Sequence, residues 1–357
     1  MNIAFVTTCL EPACDGVGDF TTLLAEECAR RSHKVTRLAL NDPFVKEIQR
    51  SPGLLRFPGD TPWPARAAEG RAWLEEFKPD CVSLQFVCYG FHPRGILTGI
   101  APQVRRLLGE WPKEVFFHEL WQGTQSGAQV KQRLNGWLQR RSVVQLLRSL
   151  APRVVHTSNP AYVHLLGRIG IPARRLPLFG SLPLPATSAA RKSNGLTFAF
   201  FGTLHPVWPP EPLFGKLRAL GRPITIAHVG RIGSGAELWD RLQRDYGNDF
   251  TFRRLGELPP QEIADFFAAA DFGVAATPWS IIGKSASVAA MIDCGLPVIV
   301  NRNDIQFPGL DQFPPLDPLL HLLDDDLPSR LREIGHAPPR LRLSDTTDQF
   351  FSDWAAP

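Results

Sequence analysis

Ile282-Gly283-Lys284-Ser285-Ala286-Ser287-Val288 places a glycine, a lysine and two serines ahead of a run of small and apolar residues. The run up to Asp293 fits a helix, Gly295-Leu296-Pro297 a tight turn, and Val298-Ile299-Val300 a buried strand. A helix beginning there offers unmatched backbone N–H groups, hydroxyls and one ammonium at a single point. That chemistry suits a phosphate or diphosphate. The same hydroxyls would also serve a plain helix cap, with Lys284 solvated.

Three other segments carry comparable signals. Gly16-Val17-Gly18-Asp19-Phe20 lies between an apolar strand and an amphipathic helix. Its glycines let a ligand approach the backbone, and the helix start favours an anion. Thr21 stands where a dinucleotide fingerprint needs its third glycine, and a tight turn with Asp19 as helix cap is the expected arrangement. His118-Glu119 closes the apolar run 115–117, at the edge where open α/β sheets bind ligands. His118 could hydrogen-bond a sugar hydroxyl or a phosphate, and Glu119 could act as a general base; a capping pair is the alternative. Gly202-Thr203 follows the run 196–201 and opens space at a strand end. Arg231 is a second candidate cation. Asp324-Asp325-Asp326 has the charge for Mg²⁺, but its flanks read as a solvated turn or helix start.

These segments sit in a repeating pattern. Apolar strand-like runs at 2–8, 34–40, 81–87, 115–117 and 153–157 alternate with helical stretches at 20–31, 65–77 and 129–150, as in an α/β domain with a mostly parallel sheet. A stretch rich in proline and small polar residues, 183–195, reads as a linker. A second series follows, with strands at 196–201, 224–229, 250–255, 272–275 and 297–300 and a helix at 261–270. The expected division is a first domain 1–182, the linker 183–195, a second domain 196–340, and a terminal helix 341–357. The aromatics Phe350, Phe351 and Trp354 of that helix need a surface to pack on, for which the first domain is expected.

Composition bounds the function classes. The 357 residues are 44% hydrophobic and 21% charged, ordinary for a globular protein. A net charge of +4 is too weak to argue for nucleic acid and suits an anionic small ligand or a loose contact with anionic lipid. The basic helix around Arg133, Arg140, Arg141 and Arg148 fits a solvated domain face and also a membrane-surface face. The chain contains no apolar run of membrane-spanning length and no signal-peptide pattern at Met1. A cytoplasmic protein is therefore expected, with any membrane contact peripheral and at the inner face. Its six cysteines should be reduced, and no zinc-like spacing or other protein-fixed metal is expected.

Taken in order, the pieces resemble the GT-B fold of nucleotide-sugar glycosyltransferases, two Rossmann-like domains facing across a cleft. In detail they resemble family 4, whose members retain anomeric configuration. The stretches that carry the resemblance are Gly16-Val17-Gly18-Asp19-Phe20, Val155-His156-Thr157-Ser158-Asn159, Phe200-Phe201-Gly202, Ala270-Asp271-Phe272-Gly273-Val274 and Cys294-Gly295-Leu296-Pro297-Val298-Ile299. That family usually has two glutamates eight positions apart, where this chain has Ile282 and Ala290. It also tends to have an arginine and a lysine where Thr203 and, approximately, Trp208 stand here.

The resemblance implies a hexosyltransferase using a nucleotide diphosphate sugar as co-substrate, with no permanently bound cofactor. It points to a carbohydrate or lipid-linked acceptor. His118, Glu119 and Lys284 are the catalytic candidates. Gly16, Gly18, Gly202, Thr203, Arg231, Gly283, Lys284, Ser285 and Ser287 are the donor-side candidates, and Asp19 with His118 the acceptor-side ones. The missing glutamates leave a second class open, a non-catalytic GT-B protein that binds a nucleotide or glycan or serves as a partner subunit. A nucleotide-sugar epimerase would need a set of acids and histidines that the sequence does not assemble.

Overall fold

A computed structural model describes residues 1–186, 195–310, 313, 315–331 and 333–356. The chain divides into two units, Met1–Pro177 with Leu343–Pro357, and Leu178–Arg342. Residues 187–194 of the expected linker lie outside the described residues, and Leu182, the last residue of the expected first domain, belongs to the core of the second unit.

The first unit holds strands β1 (Asn2–Thr7), β2 (Lys34–Asp42), β3 (Gln49–Ser51), β4 (Leu54–Pro58), β5 (Cys81–Phe86), β6 (Lys113–Phe117), β7 (Val154–Thr157) and β8 (Arg174–Arg175). They form one sheet in the order β3-β4-β2-β1-β5-β6-β7-β8, parallel throughout except for the β3–β4 pair. Ile3, Ala4, Phe5 and Val6 are fully buried, as an apolar run covered on both faces must be. The β3–β4 hairpin turns at Gly53, whose φ of +70° favours glycine. Helices Gly16–Arg30, Trp63–Phe77, Ala101–Leu108, Val130–Leu150 and Pro160–Gly167 make the connections.

The terminal helix Leu343–Ala355 closes this unit. Phe350 is buried against Phe5, with ring centroids 6.3 Å apart, and Phe351 stacks on His33 at 4.5 Å. Gln349 Nε2 donates to the Arg175 carbonyl at 2.6 Å, and Arg31 binds Asp348 and Ser344.

The second unit holds β9 (Leu196–Phe201), β10 (Ile224–Val229), β11 (Thr251–Gly256), β12 (Phe272–Ala275), β13 (Val298–Val300) and β14 (Leu320–Leu322). Their order, β11-β10-β9-β12-β13-β14 with every pair parallel, is the doubly wound order 3-2-1-4-5-6. Successive residues serve opposite cores. Phe198, Phe200, Ile226 and Val274 enter one, with Trp208, Phe214 and Trp239. Ala199, Val229, Ala275 and Val300 enter the other, with Phe267 and Met291. Each fully buried Phe contributes about 1.5–3 kcal/mol. The strand order reverses between β9 and β12 here, and between β1 and β5 in the first unit. Open parallel sheets bind ligands beyond the carboxyl ends of their strands at such reversals.

Candidate functional site

In the second unit, polar groups gather at the β9/β12 reversal. The chain leaves β12 through Thr277, makes a tight 3-10 turn over Trp279–Lys284, and starts the helix Ala286–Asp293. Ser285 caps that helix, its hydroxyl accepting from the Val288 N–H at 3.4 Å. Ser285 Oγ also lies 3.2 Å from Ser287 Oγ and accepts from Thr277 Oγ1 at 3.3 Å. The N–H groups of Ala286 and Ser287 have no acceptor among the described residues. Lys284 is half-buried in the turn just before the cap, and Gly283 precedes it. The result is a helix end with two unmatched donors, three hydroxyls and a cation within one turn, which is the arrangement an anion seeks.

Gly202 ends β9 with φ +74°, and a side chain there would meet open space. Its carbonyl accepts from Nε2 of the buried His228 at 2.7 Å, while Nδ1 of that ring has no partner among the described residues. Burial holds His228 below the usual histidine range. Thr203 turns its side chain toward Gly233. Arg231 Nε donates to Glu257 at 2.8 Å in a pair exposed on both sides, so its charge is directed in part to a neighbour. Asp324 and Asp325 bind Arg330 and Lys216. Among the described residues there is no group of three or more His, Cys, Asp or Glu placed to hold a metal ion.

The positions where the resemblance calls for glutamates are part of the core. Ile282 is 2% exposed and Ala290 is fully buried. Gly180 approaches the Ala290 backbone so closely that a Cβ on Gly180 would lie 2.6 Å from the Ala290 Cα. A carboxylate at 290 would be shut off from water.

In the first unit, His118 follows β6 beside the end of β5. It is 8% exposed, its ring tilted against Phe116 with centroids 4.3 Å apart and set edge-on to Phe20. Nε2 lies 2.8 Å from Gln85 Oε1. The direction of this bond is set from behind. Gln85 Nε2 donates to Ser83 Oγ at 2.7 Å, and Ser83 donates to Glu114 Oε2 at 2.5 Å. Gln85 therefore turns its carbonyl oxygen to His118, and the imidazole must carry its proton on Nε2. Nδ1 is left as an acceptor with no partner among the described residues. Burial lowers the His118 pKa to about 3, so the ring is neutral. A neutral acceptor nitrogen suits a hydroxyl, not a phosphate.

The line continues past Glu114. Its Oε1 meets His156 Nδ1 at 3.0 Å, and His156 Nε2 meets Asp353 of the terminal helix at 3.1 Å. Arg174 binds the other oxygen of Asp353 at 3.0 Å. Ser83, Gln85, Glu114 and His156 were not among the candidates from sequence. Their signal was alternation, since Ser83 and Gln85 share one face of an otherwise apolar strand.

The Gly16–Gly18 segment differs from the expected arrangement in one respect. The helix starts at Gly16, and its cap is Asp15, whose carboxylate accepts from the N–H groups of Val17 and Gly18. Asp19 is not the cap; it accepts from Ala13 N–H at 2.9 Å. Asp15 wins because only the residue before the helix has the extended backbone that turns its side chain back on the first amides. Gly18 is pressed against the Cys9 carbonyl, where a Cβ would come within 2.8 Å, whereas a Cβ on Gly16 would meet none of the described residues within 4 Å.

No protein-family model matches the chain, and no curated protein sequence matches it. Solved structures do. The lipopolysaccharide outer core galactosyltransferase WaaB in its apo form aligns at 14% identity and TM-score 0.57, covering 99% of this chain and 98% of that one. Anabaena HepE in complex with UDP and glucose aligns at 14% and 0.57, covering 99% of each chain. AviGT4, a glycosyltransferase involved in avilamycin A biosynthesis, aligns at 15% and 0.53, covering 99% and 96%. The fold is therefore GT-B, with two Rossmann-like domains.

Proposed function

We propose that the protein is a glycosyltransferase that moves a hexosyl unit from a nucleotide diphosphate sugar to a hydroxyl acceptor, in the making of a glycan, polysaccharide or glycolipid. The observation that carries this reading is the Ser285-capped helix start at the β9/β12 reversal, with unmatched Ala286 and Ser287 amides and Lys284 beside them. As the glycosidic C–O bond breaks, negative charge grows on the leaving diphosphate. Fixed N–H dipoles and an ammonium bind that charge more tightly in the transition state than in the ground state, which lowers the barrier. Gly202, Thr203, Arg231, Gly283, Ser285 and Ser287 complete the donor side, and Gly16 is the bare point of the first unit. The acceptor hydroxyl donates to His118 Nδ1, with Glu119 the next residue in the chain and Asp19 preceding Phe20, whose ring contacts His118. That HepE was solved with UDP and glucose supports a nucleotide-sugar donor. Retention of configuration rests on the family resemblance alone.

A second reading is favoured by the buried Ile282 and Ala290, a non-catalytic GT-B protein that binds a nucleotide or glycan. Thermal shifts with UDP, GDP, ADP and TDP, followed by transfer and hydrolysis assays, test both. One nucleotide should raise the melting temperature and its sugar should turn over. A shift with no turnover under any acceptor supports the second reading; no shift from any nucleotide overturns the first reading and the nucleotide-binding form of the second.

A further inference from the structure

The helix Val130–Leu150 leaves a row of apolar side chains in water. Val130, Leu134, Trp137 and Leu138 are 82%, 62%, 46% and 38% exposed. Their spacing puts them on one helical face. They are four of the nine large apolar side chains exposed among the described residues, so the exposure is concentrated and not scattered.

Cations surround this row. Lys131, Arg133 and Arg141 are exposed and Arg140 is half-buried. A pocket of about 350 Å³ opens beside the row, lined by Arg133, Arg140, Arg168, Trp121 and Trp137, and none of its lining residues is acidic. Its wall is fixed by contact, since a Cβ on Gly136 would lie 1.9 Å from the Gln122 carbonyl oxygen. The charge is one-sided in the sequence as well. No Asp or Glu occurs between Glu119 and Glu211, a stretch that holds eleven Lys and Arg in a chain whose net charge is only +4.

We propose that this face docks on a bilayer of anionic phospholipid, with the apolar row in the interface and a headgroup phosphate in the arginine pocket. Apolar residues including a tryptophan, bordered by arginines, match the two layers of a membrane surface, hydrocarbon below and phosphate above. A nucleic acid would take the cations and leave Val130 and Leu134 in water. The proposal stands apart from the transferase reading, and its test uses no nucleotide.

The test is sedimentation of the full-length protein with vesicles of phosphatidylcholine alone and of phosphatidylcholine with phosphatidylglycerol. Binding should need the anionic lipid and weaken with salt. Leu134→Asp with Trp137→Asp should lower partitioning at least about ten-fold. Arg133→Gln and Arg140→Gln should each lower it about five-fold. Unchanged melting temperatures show that lost binding is not lost folding; should the aspartate pair melt early, Val130→Ser with Leu134→Ser carries the same test. Absent binding, equal binding to both vesicles, or binding untouched by the apolar substitutions overturns the proposal. So does an Arg140-dependent thermal shift with inorganic phosphate in a protein that ignores vesicles, or displacement from vesicles by a single-stranded oligonucleotide.

Discussion

The two sheets are filled differently at their centres. In the first unit, Ser83, Gln85, Glu114 and His156 are buried on neighbouring strands and joined into a line that ends at His118 on one side and Asp353 on the other. In the second, strands β9, β10, β12 and β13 bury a single charged or polar side chain of that kind, His228. Each unit thus presents chemistry by a different route. The first holds an imidazole at the sheet's edge and fixes its proton through other buried side chains. The second keeps its sheet dry and brings polar groups in only where strands stop, through turn amides and small hydroxyls. Errors in the first should spread through the hydrogen-bonded line, and errors in the second should stay local.

The largest expected effect is on that line. Glu114→Leu leaves His156 and Ser83 buried without their shared acceptor and should cost about 3–5 kcal/mol, read from urea denaturation. A cost below about 1 kcal/mol would mean that the line is not a unit. Ala290→Glu puts a carboxylate into the dry core of the second unit and should cost about 3 kcal/mol or more without raising activity. If it folds with wild-type stability, the position is open and the missing family glutamate is a simple loss. Next comes Lys284→Ala, which should lower turnover about 100-fold while the melting temperature barely moves. Wild-type turnover in that variant would remove the Ser285 helix start from the leaving-group site.

The last effect is a slope with pH and not a single loss. An ordinary histidine titrates near 6.5, and burial holds folded His118 down to about 3. Between those values the unfolded chain takes up a proton that the folded chain refuses. Stability from this source is full above about pH 6.5 and falls as the pH drops toward 3. His118→Gln should flatten the stability curve in that window relative to wild type while selectively impairing transfer. Parallel curves would show that the ring is not held neutral.

Much of the fold was legible because parallel strands buried on both faces read as short apolar runs, and most runs found in the sequence lie within a few residues of observed strands. The β3–β4 hairpin was not, since Gln49-Arg50-Ser51 is exposed and carries no alternation to mark it. The strand β14 was missed because its Leu320-His321-Leu322 is only partly buried and lacks the β-branched run that marks β13. At the site, the Lys284–Ser287 turn could be read because capping chemistry is local: hydroxyls, a glycine and a helix in sequence. The His118 line could not, because its members come from β5, β6, β7 and the terminal helix, and only the strand order makes them neighbours. The choice of Asp15 over Asp19 as cap turned on where the helix begins, which sequence periodicity leaves uncertain by a few residues.

Asp293 has a consequence for how the polypeptide is threaded. Its buried carboxylate accepts from the Gly180 N–H at 2.7 Å and binds the Arg342 guanidinium, and its carbonyl accepts from the Arg340 N–H at 2.8 Å. Gly180, near the start of the second unit, and Arg342, at its end, are thus fastened to one side chain at one helix end. That unit is topologically a cassette inserted between Pro177 and Leu343, with its two ends side by side. Such an arrangement suits excision, circular permutation or transplantation into another host loop, because neither cut would have to cross the sheet.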